Sequence, residues 1–207
     1  MMERIRELAE RGIAGKFWYE KAEESIRRVG GEEWDMLARL IATLSPQSSV
    51  GQNVGWALVA LRHYREEGRG PTWGVLNVGR FSQVAWAVND VLNGGLPRGP
   101  KVCSFYRALT GDREAVAIDQ FVARAMGLET TRHLGENLYW RMAADLRWMA
   151  HYEMGWEPRQ LQAALWVAAP RRRAGQDMSR ELERSAGLLT QERLEVWRAR
   201  GPRNGWE

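Results

Sequence analysis

Three observations place this chain in the all-α class. Apolar residues recur at intervals of three and four in segment after segment. No stretch alternates apolar and polar residues in the manner of a half-buried strand. No Asn-Gly or Asp-Gly hairpin joins two β-rich runs. With 207 residues, 44% hydrophobic and 27% charged, the composition is that of a globular protein, long enough for one ordinary domain or two small lobes with a real core.

Taken in order, Met2–Arg11 and Lys16–Val29 read as charged amphipathic helices, divided by Gly12 and ended by Gly30-Gly31. Glu32–Leu44 carries Trp34, Leu37, Ala38, Ile41 and Leu44 on one stripe and predicts a core helix. Ser45-Pro46-Gln47-Ser48-Ser49 interrupts, with Ser48 or Ser49 placed to cap a helix over Val50–Glu66. A Gly68–Pro71 loop and weak structure around Trp73–Val78 precede a helix over Arg80–Leu92. After Pro97, Gly99 and Pro100, a helix beginning at Lys101 sets Val102, Phe105, Tyr106 and Leu109 at helix spacing and closes at Thr110-Gly111-Asp112. The apolar run Ala115–Ile118 leads to Asp119, placed to open a helix over Gln120–Met126. Glu136–Tyr152 reads as a long helix with Leu138, Met142, Leu146 and Met149 inside, and Pro158 starts a helix to Ala168. In the tail, Leu182, Leu189, Leu194 and Trp197 suggest one or two further helices, broken near Gly187, with Thr190 as a cap. The expected division is a helical domain over 1–170 and a basic helical extension over 171–207. Of the 11 tryptophans, Trp34, Trp86, Trp148 and Trp166 fall at core-like positions.

Composition also removes several function classes. Cys103 is the single cysteine, so a disulfide framework, a thiolate zinc site and a cysteine-ligated iron–sulfur cluster are excluded. His63, His133 and His151 have no ligand spacing, and no metal or other cofactor is expected. No apolar run reaches the length of a membrane span, and the N-terminal MMERIRELAERG is too charged for a signal peptide; the expectation is a soluble, cytoplasmic, monomeric protein. A formal net charge of +4 favours an acidic partner.

The segment LPRGPKVCSFYRALTGDREAVAIDQFVAR, Leu96 to Arg124, concentrates the chemistry. It sets Lys101 in the first turn of one helix and Asp119 at the start of the next, and a helix with its return connection can bring two such termini to one face. Both residues also have plain structural roles open to them, Asp119 as a cap and Lys101 as an exposed first-turn lysine. Within this segment LPRGPKV resembles the LPGVGxKT hairpin, and AIDQFVARA the VDTHVxRV segment, of the helix-hairpin-helix DNA glycosylase superfamily (the HhH-GPD group that includes endonuclease III). Upstream, LIATLSPQSSVGQNV is similar to that family's LIAxLLSxQxxD segment, and downstream PRQLQAALWV looks like the closing helix of its smaller relatives. The resemblance spans roughly Trp34 to Val167. The hairpin here is one residue shorter, with Arg98 where a glycine is usual; Gln120 and Phe121 stand in the threonine and histidine places; and the C-terminal four-cysteine cluster is absent.

The resemblance implies a two-lobed all-α helix-hairpin-helix fold and a DNA base glycosylase with associated AP lyase activity, free of cofactor. It puts Lys101 on the Schiff-base lysine and Asp119 on the catalytic carboxylate. DNA contacts are then expected from Gln47 as the wedge replacing a flipped base, from Arg98, Gly99 and Ser104 at the hairpin, and from Arg171, Arg172 and Arg173 in the tail. The chemistry suits these residue types. A carboxylate stabilises the positive charge that spreads over a sugar as its glycosidic bond breaks, a free amine attacks C1′, and hairpin amides hold a phosphate without side-chain charge. Two other readings stay open: a base-hypermodifying enzyme that transfers an amine or amino acid to a pyrimidine on the same fold, and a non-catalytic DNA-binding module.

If the tail touches phosphate, Arg171, Arg172 and Arg173 changed together to alanine will flatten the fall of DNA affinity with salt, each lost contact reducing the log–log slope by about 0.9 on duplex DNA. An unchanged slope in a salt titration assigns that run to solvated surface.

Overall fold

The computed structural model describes residues 2–46, 48–71, 82–128, 134–169 and 178–188. These form ten α-helices and no strand: α1 (Met2–Arg11), α2 (Trp18–Gly30), α3 (Trp34–Thr43), α4 (Val50–Glu67), α5 (Ser82–Leu92), α6 (Pro100–Leu109), α7 (Gln120–Ala125), α8 (Glu136–Trp148), α9 (Pro158–Ala168) and α10 (Met178–Leu188). A 3₁₀ turn over Ile13–Gly15 precedes α2, another over Gly31–Glu33 precedes α3, and a π-helical turn over Met149–Met154 prolongs α8. The described residues are thus all-α. The expected weak segment Trp73–Val78, Gln47, the Arg171–Arg173 run and the last tail helix lie outside them.

The chain divides into two compact units. One comprises Met1–Glu24 and Arg98–Asp177, the other Ser25–Pro97 and Met178–Glu207, so both are discontinuous and α2 crosses the boundary. The second unit is built on α3, whose Leu37, Ala38, Leu40 and Ile41 are fully buried. It packs against α4 and α5, which supply Val54, Ala57, Leu58, Leu61, Val88, Val91 and Leu92. Ser49 caps α4 in a reciprocal capping box with Gln52, and Gly68 ends it in the left-handed region at φ 66°. From the tail, α10 lays Met178 and Leu182 into the interior against α4. Gly51 lies at this contact, where a Cβ would come 2.8 Å from Glu181 Oε2 and displace that carboxylate.

In the first unit the core gathers Ile5 and Ala9 of α1, the extended Val116–Ile118 run, Val122 and Ala123 of α7, Tyr139, Met142, Ala143 and Leu146 of α8, and Leu161, Ala164 and Leu165 of α9. Glu157 and Gln160 form a capping box at the start of α9, with Pro158 at its first position as expected. The regular part of α8 stops at Trp148, four residues before the expected end at Tyr152, because the chain widens into the π turn. Two of the four tryptophans expected in the core are surface residues, Trp86 at 57% and Trp148 at 48% exposure. In α8 the inward positions are 139, 142, 143 and 146. Trp148, two residues beyond Leu146, is rotated by about 200° from it and faces out. Trp34 is half-buried beneath the Arg27 guanidinium, 3.6 Å from its ring centroid, and Trp166 is half-buried against Trp18.

A tight backbone approach in this unit is at the α1–α2 corner. Gly12 has ordinary backbone angles (φ −98°, ψ 14°), but a Cβ there would fall 1.9 Å from the Ala164 carbonyl oxygen and 3.0 Å from the Ala168 nitrogen of α9. Space, not conformation, demands the glycine. Gly12→Ala must push α9 away from the corner and will cost at least about 3 kcal/mol, at the upper end of overpacking penalties. A urea midpoint equal to wild type would refute this account of the corner.

Candidate functional site

The site lies within the first unit and begins with the turn before α6. Gly99 occupies φ 87°, ψ 146°, a conformation that side-chain-bearing residues rarely adopt, and Pro100 follows as the first helical residue. The α6 ladder starts when the Cys103 amide donates to the Gly99 carbonyl (2.9 Å), so the amides of Lys101 and Val102 have no acceptor inside the helix. Gly99 and Arg98 are exposed. Lys101 is half-buried, with Nζ 5.5 Å from the centroid of the Phe105 ring one turn along.

Asp119 arrives from the other side. Ala115, Val116, Ala117 and Ile118 are buried as an extended strip, and Asp119 caps α7: its Oδ1 accepts from the amides of Phe121 and Val122, both at 2.9 Å. Both cap bonds fall on one oxygen, and among the described residues Oδ2 takes no hydrogen bond. The carboxylate therefore serves as a cap and still presents an oxygen to its surroundings.

Lys101 and Asp119 act on each other electrostatically. Burial pushes the Lys101 amine below its ordinary value of 10.5, and the Asp119 carboxylate opposes that shift by favouring the ammonium form. Burial wins. The helix N-terminus behind the lysine works in the same direction, since the positive end of the dipole disfavours a cation there. The same carboxylate reaches Tyr19, a buried residue of α2. Its phenol is held well above its ordinary value of 10.0 by burial first and by Asp119 second, and it donates to Gln162 Oε1 at 2.5 Å. Around Lys101 stands an aromatic wall: Phe105 stacks with Trp18 at 6.2 Å and meets Tyr19 edge-on at 6.1 Å, and Trp18 leans on Trp166 at 5.4 Å.

A second tyrosine holds the two halves together. Tyr139 Oη accepts from the Ile118 amide (3.2 Å) and donates to the Val116 carbonyl (3.0 Å), and Ser104 of α6 also bonds it. Ser104, expected at the hairpin surface, is thus 2% exposed and turned into the core, because its hydroxyl is engaged in this clamp. Cys103 is a partly buried thiol, pushed upward by burial. Beside the tyrosines, Arg159 lies buried with Nε 3.0 Å from Glu157 and its terminal nitrogens 3.6 Å from Glu20 and Glu23.

The structure therefore puts Lys101 within electrostatic reach of Asp119, places Gly99 and Arg98 at the exposed turn before α6, and removes Ser104 to the interior; Gln47, Arg171, Arg172 and Arg173 lie outside the described residues. Among the described residues no group of His, Cys, Asp and Glu could hold a metal ion, and no helix is long and apolar enough to cross a membrane. Tyr19, Phe105 and Tyr139 were not legible as site residues. The one sequence signal for Tyr19 is the Phe17-Trp18-Tyr19 triplet, unusual on a helix otherwise rich in charge.

An all-α protein with a desolvated lysine in electrostatic reach of a capping aspartate is what fold and site define. The chain belongs to a family of unknown function (DUF7178), whose model matches residues 8–174 and so takes in the whole of this site. No curated protein and no solved structure matches the chain.

The cap geometry gives a stability test. Asp119→Asn keeps an oxygen for the two α7 amides and will alter stability by a few tenths of a kcal/mol, whereas Asp119→Ala will cost ~1 kcal/mol. Chemical denaturation of the two variants checks the order, and equal losses would mean that the carboxylate charge, not the cap, holds α7.

Proposed function

We propose that the protein acts on DNA as a base glycosylase with associated AP lyase activity, with Lys101 as the amine that attacks C1′ and Asp119 as the carboxylate that stabilises charge on the sugar. The observation that carries this reading is the Lys101 amine: half-buried against Phe105, lowered by burial, and within electrostatic reach of Asp119. An amine of that kind is a nucleophile at a pH where ordinary lysines are protonated. It adds to the C1′ aldehyde of an abasic sugar, loses water to give an imine, and allows β-elimination of the 3′ phosphate. Asp119, with one oxygen anchored to α7 and the other left open, is a fixed negative charge of the sort that favours an oxocarbenium-like transition state over the neutral ground state. The resemblance of LPRGPKV and AIDQFVARA to the glycosylase segments points the same way. The left-handed Gly99 and the first turn of α6, whose amides have no acceptor inside the helix, supply a place for backbone phosphate.

Borohydride reduction of wild-type protein on an abasic duplex will give a covalent protein–DNA adduct, and Lys101→Ala will give none while keeping most of its DNA affinity. The trapping rate will rise with pH through the lowered Lys101 value and level off before pH 10.5, since only the free amine attacks. Asp119→Asn removes the charge that holds the proton on the ammonium, so the inflection moves to lower pH. On a base-bearing substrate the same variant will release base about a hundred- to a thousandfold more slowly. Trapping that survives in Lys101→Ala, or an Asp119→Asn inflection displaced upward, overturns these roles. Wild type that binds duplex yet neither traps nor releases a base across a lesion panel overturns the activity.

A further inference from the structure

The outer face of α8 carries a feature that the lysine site does not use. Trp148 is 48% and Tyr152 76% exposed, and their rings lie side by side, 5.7 Å between centroids with 32° between planes. Two large rings in water are costly to leave uncovered, and nothing on the inner face requires them, since the core contacts of this segment come from Met142, Ala143, Leu146, Met149 and Ala150. The backbone beneath them is the π turn Met149–Met154. In a regular α-helix residues four apart diverge by about 40° around the axis. A turn closed by i→i+5 bonds winds less per residue, so Tyr152 keeps nearer to the azimuth of Trp148. The helix departs from its ideal form where the pair is set.

The ground around the pair is charged, not aliphatic, and it includes guanidinium groups that ion pairs among the described residues do not consume. Glu153 is neutralised by Arg6 at 2.9 Å, and Glu114 faces His151 at 3.0 Å. Arg141 makes no ion pair among the described residues, and Arg147 spends only Nε, on the Glu114 carbonyl at 2.8 Å. Asp145 is the one acid nearby without an ion pair among the described residues. Adjacent exposed rings with two available guanidinium groups suit a partner that is planar and apolar in its units and anionic along its chain.

We propose that Trp148 and Tyr152 form a stacking platform for unpaired bases of a nucleic-acid strand, with Arg141 and Arg147 taking the adjacent phosphates. The platform lies on the face of α8 opposite Tyr139 and its clamp, so it engages a stretch of strand other than any held at Lys101. It stands whether or not Lys101 forms an imine. Stacking tolerates any base, and the platform is therefore expected to bind without sequence preference.

The experiment is fluorescence anisotropy with a labelled oligothymidine, using the full chain. Trp148→Ala and Tyr152→Ala will each weaken binding about 5- to 100-fold. Trp148→Phe, which keeps a ring, will recover most of the loss, and Arg141→Ala will lower the salt slope by about 0.7. Circular dichroism melts will match wild type, because the substituted rings are outside the core. Borohydride trapping on the same proteins reports on the lysine site separately. Unchanged oligothymidine affinity in both alanine variants overturns the platform. So does a concentration-dependent dimer, or adsorption to anionic phospholipid vesicles, that disappears in Trp148→Ala while oligothymidine binding persists.

Discussion

The hydroxyl of Tyr139 uses its full hydrogen-bonding capacity, one donated bond and two accepted, and the geometry of the first unit follows from it. The donated bond and one accepted bond fix the extended strip from Val116 to Ile118, which has no sheet partner and would otherwise bury unpaired amides and carbonyls. That strip delivers Asp119 to the head of α7. The other accepted bond, from Ser104, holds α6 three residues beyond Lys101. One phenol on α8 thereby sets both ends of the lysine–aspartate pair, and it does so from inside the core, where a half-satisfied hydroxyl is most expensive.

Around this clamp two opposing electrostatic effects are balanced. Burial strips water from Lys101 and favours the neutral amine, while Asp119 pulls toward the ammonium; the result is lowered, not abolished, basicity. Tyr19 responds to the same carboxylate in the same sense, but there burial and the carboxylate act together, so the phenol keeps its proton and commits it to Gln162. Arg159 with Glu20, Glu23 and Glu157 shows a third arrangement, in which a buried cation is surrounded by carboxylates at ion-pair distances that leave Nη1 without a hydrogen bond. Such networks contribute little net stability, yet breaking one partner is costly.

Local signals carried most of the secondary structure. Apolar spacing located both ends of α1, Ser49 capped α4, and Pro158 opened α9. The nearness of Lys101 to Asp119 was legible because both fall in one short helix-and-return segment. Tyr139 and Tyr19 were not, for a physical reason: a hydrogen bond across many residues leaves no trace in the periodicity of either partner. Trp148 and Trp86 were assigned to the interior by residue type and approximate spacing. Their azimuths decided otherwise, on α8 for Trp148 and on α5 for Trp86, and the π turn, which no composition rule announces, ended the regular part of α8 early.

The interleaving of the two units has a consequence for how the chain is made. The second unit takes Met178 and Leu182 into its core, yet these emerge only after the whole of the first unit's second segment has been synthesised. The first unit in turn needs Gly12 and Tyr19 from the beginning of the chain to seat against α9 near its end. Neither body can close on a growing ribosomal chain until almost everything has appeared, because the contacts that join the two segments of each unit span large sequence separations despite an all-helical content. Such a chain should acquire its helices early and its tertiary order late, in the manner of slower, non-local topologies and not of simple helical bundles.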